Sequence, residues 1–412
     1  MKGVSMKFKF SSVLNSFYFL TILFFSGYAT SFYRSTKGLA FILVLSVTVF
    51  LLNRIKIRKD FFVLIILWTL YCSFTMLVYD DLFFGFYLRH LSYFLAGYVL
   101  LCLFKENFTR KYETALYYLA IISLFFWAWQ LISYQSLYSF MQVFDIGNFE
   151  STQSGTSSKN VLVYTIHYNH IFRNCGFTWE PGPFSIFLCL ALYFNIINSE
   201  VKPFKNRRFF VLLVALLSTQ STTGYLIFII LLTYILIVKY RVSLQKIVVG
   251  FAFLSVAIYV FLTVDFLFLK IRDLYIAGNA DTIINQARTS SQGNFSFGRF
   301  AVFTIGWRDF INHPFLGYAG ASHLTYLNQL GVNINIVSGL STIFGMYGIF
   351  WVLLGTFYTI KSSKFFSSVY QSNTKYALAI IIGLSLFSFH SQTFYILYTP
   401  MFYYMLNIKL KS

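Results

Sequence analysis

Apolar runs close to the length of a membrane crossing recur along almost the whole chain. They lie at 16–33, 38–52, 61–78, 83–104, 114–133, 183–199, 209–220, 223–238, 247–264, 337–360, 375–393 and 394–409. A helix needs about 20 mostly apolar residues to cross the hydrocarbon layer. Lipid offers no partner for backbone N–H and C=O groups, so each such run must satisfy its own, which a helix does. The expectation is an all-α polytopic membrane protein with about 12 transmembrane helices. The second and seventh runs are short, and the last two meet near Thr393. Composition agrees: 58% of the 412 residues are hydrophobic and 11% are charged, where soluble chains carry roughly 25% charged residues.

A net charge of +19 raises the question of a nucleic-acid partner. The positions answer it. Basic residues flanking spans stay cytoplasmic, and most of the Lys and Arg fall in alternate connections. These are Lys2, Lys7 and Lys9; Arg54, Lys56, Arg58 and Lys59; Lys105, Arg110 and Lys111; Lys202, Lys205, Arg207 and Arg208; Lys239, Arg241 and Lys246; Lys361, Lys364 and Lys375; and Lys409 and Lys411. Both termini are therefore expected in the cytoplasm, and no nucleic acid is expected as partner. The basic, then apolar start imitates a signal peptide. It lacks an A-x-A-like cleavage site and reads as an uncleaved first helix.

The order of runs divides the chain into five parts. Residues 1–133 hold helices 1–5, 134–182 a first large extracytoplasmic loop, and 183–264 helices 6–9. Residues 265–336 form a second large extracytoplasmic loop, and 337–412 hold helices 10–12. Connections this long are usually functional or disordered. No internal repeat of the transporter kind is evident. Cys72, Cys102, Cys175 and Cys189 show no metal-ligand spacing and read as small apolar residues.

The stretch "FRNCGFTWEPGPFSIFL" opens the sixth run. Proline suits a first helical turn, where its missing N–H has no intrahelical role. Free N–H groups at such a helix start bind phosphate well, and Arg173 just upstream adds a bidentate donor. "LSTQSTTGYLI" joins the seventh and eighth runs. Ser221, Thr222 and Thr223 suit the cap of the eighth helix, and Gly224 allows close packing. The turn is either a plain hairpin or the hydroxyl-lined floor of a polar cavity.

In the second loop, "FGRFAVFTIGWRDFINHPFLGYAGASHLTYL" places Arg299 and Arg308 half a turn apart on an amphipathic helix. Arg299 enters an apolar patch, and Pro314 and Gly317 end the helix in a turn. His323 stands beside the return to the membrane, either as a general base or as an interfacial hydrogen-bonded residue. His167 and His170 show helical spacing with nothing to complete a metal site. Arg89 and His90 lie within the fourth run. Intramembrane charge points to function, although Arg89 could snorkel outward. Asp80 and Asp81 form an acidic pair that either holds a divalent ion on a diphosphate or is simply solvated. No nucleotide-binding fingerprint or zinc-protease motif is present.

These stretches resemble a known family. "RNCGFTWEPGPFSIFL" is similar to the R-x-x-G-f-x-E-P-g-x-f element of bacterial O-antigen and capsular repeat-unit polymerases, the Wzy class. "LLSTQSTTGYLIFIILL" resembles their S-t-t-G-y-l hairpin. "GRFAVFTIGWRDFINHPFLGYAG" resembles their Arg-bearing outer loop, and "VSGLSTIFGMYGIFWVLLG" the helix after it. The order matches over about residues 165–360. The resemblance implies a GT-C-like, metal-independent glycosyltransferase of the O-antigen polymerase/ligase superfamily, in the bacterial cytoplasmic (inner) membrane. It implies an undecaprenyl-diphosphate-linked oligosaccharide as substrate, the bilayer and a chain-length regulator protein as partners, and no cofactor. It would join repeat units into O-antigen, capsular or exopolysaccharide at the outer face.

A leaving diphosphate needs fixed positive charge. Arg173, Arg299, Arg89 and Arg308, with Ser221 and Thr222, are the candidates to bind diphosphate and sugar. Glu180 and His323 are the candidate bases, although Glu180 could instead orient Arg173. Related O-antigen ligases carry an H-N-x-y-l element, which "SHLTYL" matches in part, with Leu324 where Asn would stand. The alternatives are ligase-type transfer to another acceptor, and a flippase or transporter of lipid-linked sugars.

Overall fold

A computed structural model of the chain describes residues 2–27, 29–80, 84–146, 149–150, 157–167, 170–199, 205–239, 299–332 and 340–388, with isolated positions at 241–243, 245, 248 and 284. The expected spans at 247–264 and 394–409 lie outside these residues, as does Asp81. The helices are α1 (Lys2–Gly27), α2 (Ser31–Arg34), α3 (Thr36–Leu52), α4 (Lys59–Tyr79), α5 (Phe84–Phe104), α6 (Asn107–Ile132) and α7 (Tyr134–Val143). They continue with α8 (Pro181–Asn198), α9 (Arg207–Ser218), α10 (Thr222–Val238), α11 (Arg299–Asn312), α12 (Tyr326–Gln329), α13 (Leu340–Val369) and α14 (Ala377–Ser388). Five of them, α4, α5, α6, α8 and α13, are long and apolar enough to cross a membrane. The chain is a mostly helical, polytopic membrane protein.

Helix α8 is the hub. Every residue from Pro181 to Ile196 is buried, as expected of a helix that is apolar on all sides. It packs against α6, α9, α10 and α14. Gly224 on α10 lets that helix approach; a Cβ there would lie 2.3 Å from Cβ of Ser185. At the far end of α8, Asn195 donates to the buried Glu113 carboxylate of α6 at 2.8 Å, and Arg208 of α9 reaches the same oxygen at 3.4 Å. Around this core, α4 turns Phe62, Leu70, Phe74 and Leu77 outward. Large exposed apolar surface is the face that a bilayer covers.

The expectation of an all-α chain needs a correction. The segment after α7 forms a three-stranded antiparallel sheet, β1 (Phe149–Glu150), β2 (Ser157–Asn160) and β3 (Thr165–His167), in that spatial order. Ser158 pairs with His167 and Asn160 with Thr165. The β2–β3 turn is built on Asn160, whose Oδ1 accepts from Leu162 N at 2.8 Å, the local side-chain bond that makes Asn a turn former. The sheet packs on α7 through Leu137, Met141, Tyr164 and Ile166, and Lys159 pairs with Asp145 at 3.2 Å. His167 therefore ends a strand and His170 sits in a turn, so their spacing is not helical. The sheet's contacts with α7, not any run of its own, decide the conformation.

Helix α13 is broken at Gly348, where φ is 65° and ψ 179°. The chain from His313 to Ala321 fills the break. Tyr318 N donates to Gly345 O at 2.8 Å, Ala319 N to Met346 O at 2.9 Å, and Ile349 N to Pro314 O at 2.8 Å. Irregular backbone in a membrane helix is tolerated where protein satisfies the freed groups. Tyr71 and Tyr79 of α4 add hydrogen bonds at 2.5 Å to Leu316 O and Gly317 O. The segment is thus wedged between α4, α5 and α13.

Candidate functional site

Arg173 is presented by a short loop that is bolted down on both sides. Asn174 is fully buried. Its amide donates to Ser123 Oγ of α6 at 3.1 Å and to Ser218 Oγ of α9 at 2.9 Å, while its Oδ1 accepts from Gly176 N at 2.9 Å. Gln130 of α6 donates to the carbonyls of His170 and Ile171, and Trp127 to that of Phe172 at 3.0 Å. Gly176 adopts φ +51°, and a Cβ there would meet the Phe184 ring at 2.6 Å. Asn174→Ala would strand the Gly176 N–H and remove the donor to both serine hydroxyls, which keep their own bonds to Ala120 O and Ala215 O, at a cost of about 1–3 kcal/mol for the buried group left unpaired. We expect a lower melting temperature of the detergent-solubilised protein; an unchanged melt would show that these bonds do not hold the loop.

The guanidinium lies at the end of α9. Nε donates to Thr219 O at 3.1 Å, and Nη1 is 3.4 Å from His170 Nδ1. Thr219 is the C-cap of α9, where the helix dipole and unpaired carbonyls favour a cation. The next residues enter α10: Ser221 is its N-cap and its hydroxyl accepts from Gly224 N at 3.2 Å. Ser221 is buried and Thr222 exposed. Behind Arg173, the His170 and His167 rings stack with centroids 4.8 Å apart. Burial pushes the His167 imidazole down from its ordinary value.

Glu180 is the N-cap of α8 and makes no side-chain capping bond; Pro181 follows as the first helical residue. The first turn, Pro181–Phe184, is buried and Glu180 is half-buried. Burial pushes the Cys175 thiol up, Glu180 pushes it the same way and Arg173 opposes both. Arg173 reaches the turn into α10 through Thr219 O, two residues before Ser221.

The second cluster lies on α11 and the chain that follows it. Arg308 Nη1 donates to Tyr326 Oη at 2.9 Å. His323 is exposed, in a 3-10 turn at Ser322–Leu324. Arg299 is the first residue of α11, and its side chain lies outside the described residues, so its distance from Arg173 does too. Arg89 is half-buried on α5. Its neighbour His90 is a core residue: Nδ1 meets Phe86 O at 2.9 Å and Nε2 meets Tyr347 Oη at 2.5 Å. Asp80 is the left-handed C-cap of α4. Among the described residues, no group of three or more His, Cys, Asp or Glu is placed to hold a metal.

Sequence reasoning passed over Asp309 and His313. Asp309 is 5% exposed, and its Oδ1 accepts from Tyr326 N at 2.6 Å. Burial pushes its carboxyl up to about 6, and the Tyr326 N–H works against this. Its native value exceeds the ordinary 3.8, so the folded chain binds the extra proton. Its contribution to stability therefore falls as pH rises from about 4 to about 6 and stays low above that. His313 is pushed down by burial, and the nearby Leu324 backbone acts in the opposite direction. The signal was the spacing: 309 and 313 stand four apart on α11, on one face.

Fold and site together define a class: a polytopic membrane protein that gathers arginines, a carboxylate and a histidine at the ends of and between its helices. A family model described as O-antigen ligase matches residues 209–337, about a third of the chain. The match covers α9, the Ser221–Thr222 turn, Arg299, Arg308 and His323; Arg173 and Glu180 precede it. Comparisons with curated proteins and with solved structures return no match.

Proposed function

We propose that the protein polymerises undecaprenyl-diphosphate-linked oligosaccharide repeat units at the outer face of the bacterial cytoplasmic membrane. The acceptor sugar hydroxyl attacks the anomeric carbon of the donor chain. A new C–O bond forms as the bond to the diphosphate oxygen breaks, and undecaprenyl diphosphate leaves with the electron pair. The hydroxyl proton passes to Glu180 or His323. Arg173, Arg299 and Arg308 balance the charge on the leaving diphosphate, with Arg89 deeper in the bilayer. Fixed donors aimed at developing charge are usually the largest catalytic term. The observation that supports this reading best is the bolted loop that fixes Arg173 against the C-cap of α9, two residues before the Ser221–Thr222 turn.

Ligase-type transfer to another acceptor is the second reading, favoured by the description of the matching family model. Deletion of the gene separates the two. Single repeat units on undecaprenyl diphosphate are expected for a polymerase, and long polymer on the same carrier would make the protein a ligase. Purified protein with lipid-linked repeat units should build chains equally with and without a chelator. Activity lost with chelator and restored by a divalent ion would overturn the metal-independent reaction.

A further inference from the structure

We propose that Asp309 is a positioning residue: it clamps the backbone on the C-terminal side of His323 to α11 and so sets where that imidazole stands. The proposal rests on the reading of His323 as a residue of the transfer site. Asp309 Oδ1 takes the N–H of Tyr326 at 2.6 Å. Tyr326 opens α12, whose N-cap, Thr325, makes no side-chain capping bond. A carboxylate from another helix thus caps α12. Arg308 holds the same residue from its other end, through the phenol oxygen. Tyr326, three residues after His323, is therefore tied to two consecutive anchors on one helix.

The anchors themselves are rigid. Gly306 and Gly345 let α11 and α13 touch; a Cβ on Gly345 would lie 2.9 Å from Cβ of Asp309. Phe310 and Phe344 stack edge to face across the same seam. Asp309 is faced by the Tyr326 N–H from α12 and by Tyr318, whose phenol is pushed up first by burial and then by Asp309. A buried carboxylate is a poor choice for stability alone, because an apolar side chain of similar volume packs without the desolvation cost. Its place at the one point that fixes Tyr326 N is what assigns it a positioning role.

The test compares Asp309→Leu, Asp309→Asn and His323→Ala in the full-length, detergent-solubilised protein, using lipid-linked repeat units as substrate. Asp309→Leu should keep or raise the melting temperature at pH 7.5 while kcat falls about 30-fold with KM within about twofold, the signature of a misplaced group. Asp309→Asn still offers an oxygen to Tyr326 N and should retain at least about a third of kcat. Hydrogen exchange of the 322–329 peptide should accelerate about tenfold in Asp309→Leu only. Unchanged exchange in Asp309→Leu, or kcat within twofold of wild type, would overturn the clamp. Full activity of His323→Ala would instead remove His323 from the reaction, whatever the exchange data show, and so separates failure of the site reading from failure of the clamp. If Asp309→Leu does not fold, Asp309→Val takes its place and is read against the same limits on exchange and kcat.

Discussion

Gly348→Ala should abolish accumulation of folded protein. At this position the backbone takes φ 65° and ψ 179°, a region open to glycine and essentially closed to other residues. Space is lacking as well: a Cβ would lie 2.3 Å from Phe315 O and 2.6 Å from Gly317 N. Both belong to the wedge that satisfies the open backbone of α13. The methyl group must expel the wedge, which then frees the Gly345 and Met346 carbonyls and the Tyr71 and Tyr79 hydroxyls together. Losses of that kind reach the exceptional range above about 4 kcal/mol. The measurement is the monodisperse fraction on detergent gel filtration, set against Gly355→Ala on the same helix, where no atom lies within 4 Å. Gly355→Ala should behave as wild type. A monodisperse Gly348→Ala protein would mean that the break in α13 does not depend on its glycine.

Arg173→Ala should leave the membrane level near normal and shorten the glycan to single repeat units. The structural loss is small, because the loop around Arg173 is held by Asn174, Gln130 and Trp127 and not by the guanidinium. What disappears is a cation fixed between Thr219 O and His170. Removing one preorganised donor to developing charge costs about 10²–10³ in turnover. Arg173→Lys keeps the charge but not the planar fork, so it should recover only part of the loss. The readout is the ladder of glycan lengths on a gel beside an immunoblot of the membranes. Wild-type chain lengths in Arg173→Ala would take this residue out of the reaction.

Much of the helical frame was legible. The run 61–78 became Lys59–Tyr79 and 223–238 became Thr222–Val238, because length and apolarity decide a membrane helix locally. Ser221 as a cap and Gly224 as a contact were readable for the same reason: each acts within a few residues or through the size of one side chain. The small sheet was not. "SSKN" has no apolar alternation, and only the α7 face gives it a core. His90, an intramembrane histidine in sequence terms, is a core residue with Phe86 O and Tyr347 Oη as partners, and Tyr347 stands 257 positions away.

The amino-acid order by itself determined a membrane protein of many helices, with arginines, Glu180 and His323 in the long connections. The burial that drives helix formation depends on runs of near neighbours. Only the tertiary structure decided that Arg173 caps α9, 46 residues downstream, that Gly348 breaks a helix to admit another segment, and that Asp309 holds Tyr326. Those outcomes depend on which backbone groups remain unpaired once helices pack, and no local pattern records that.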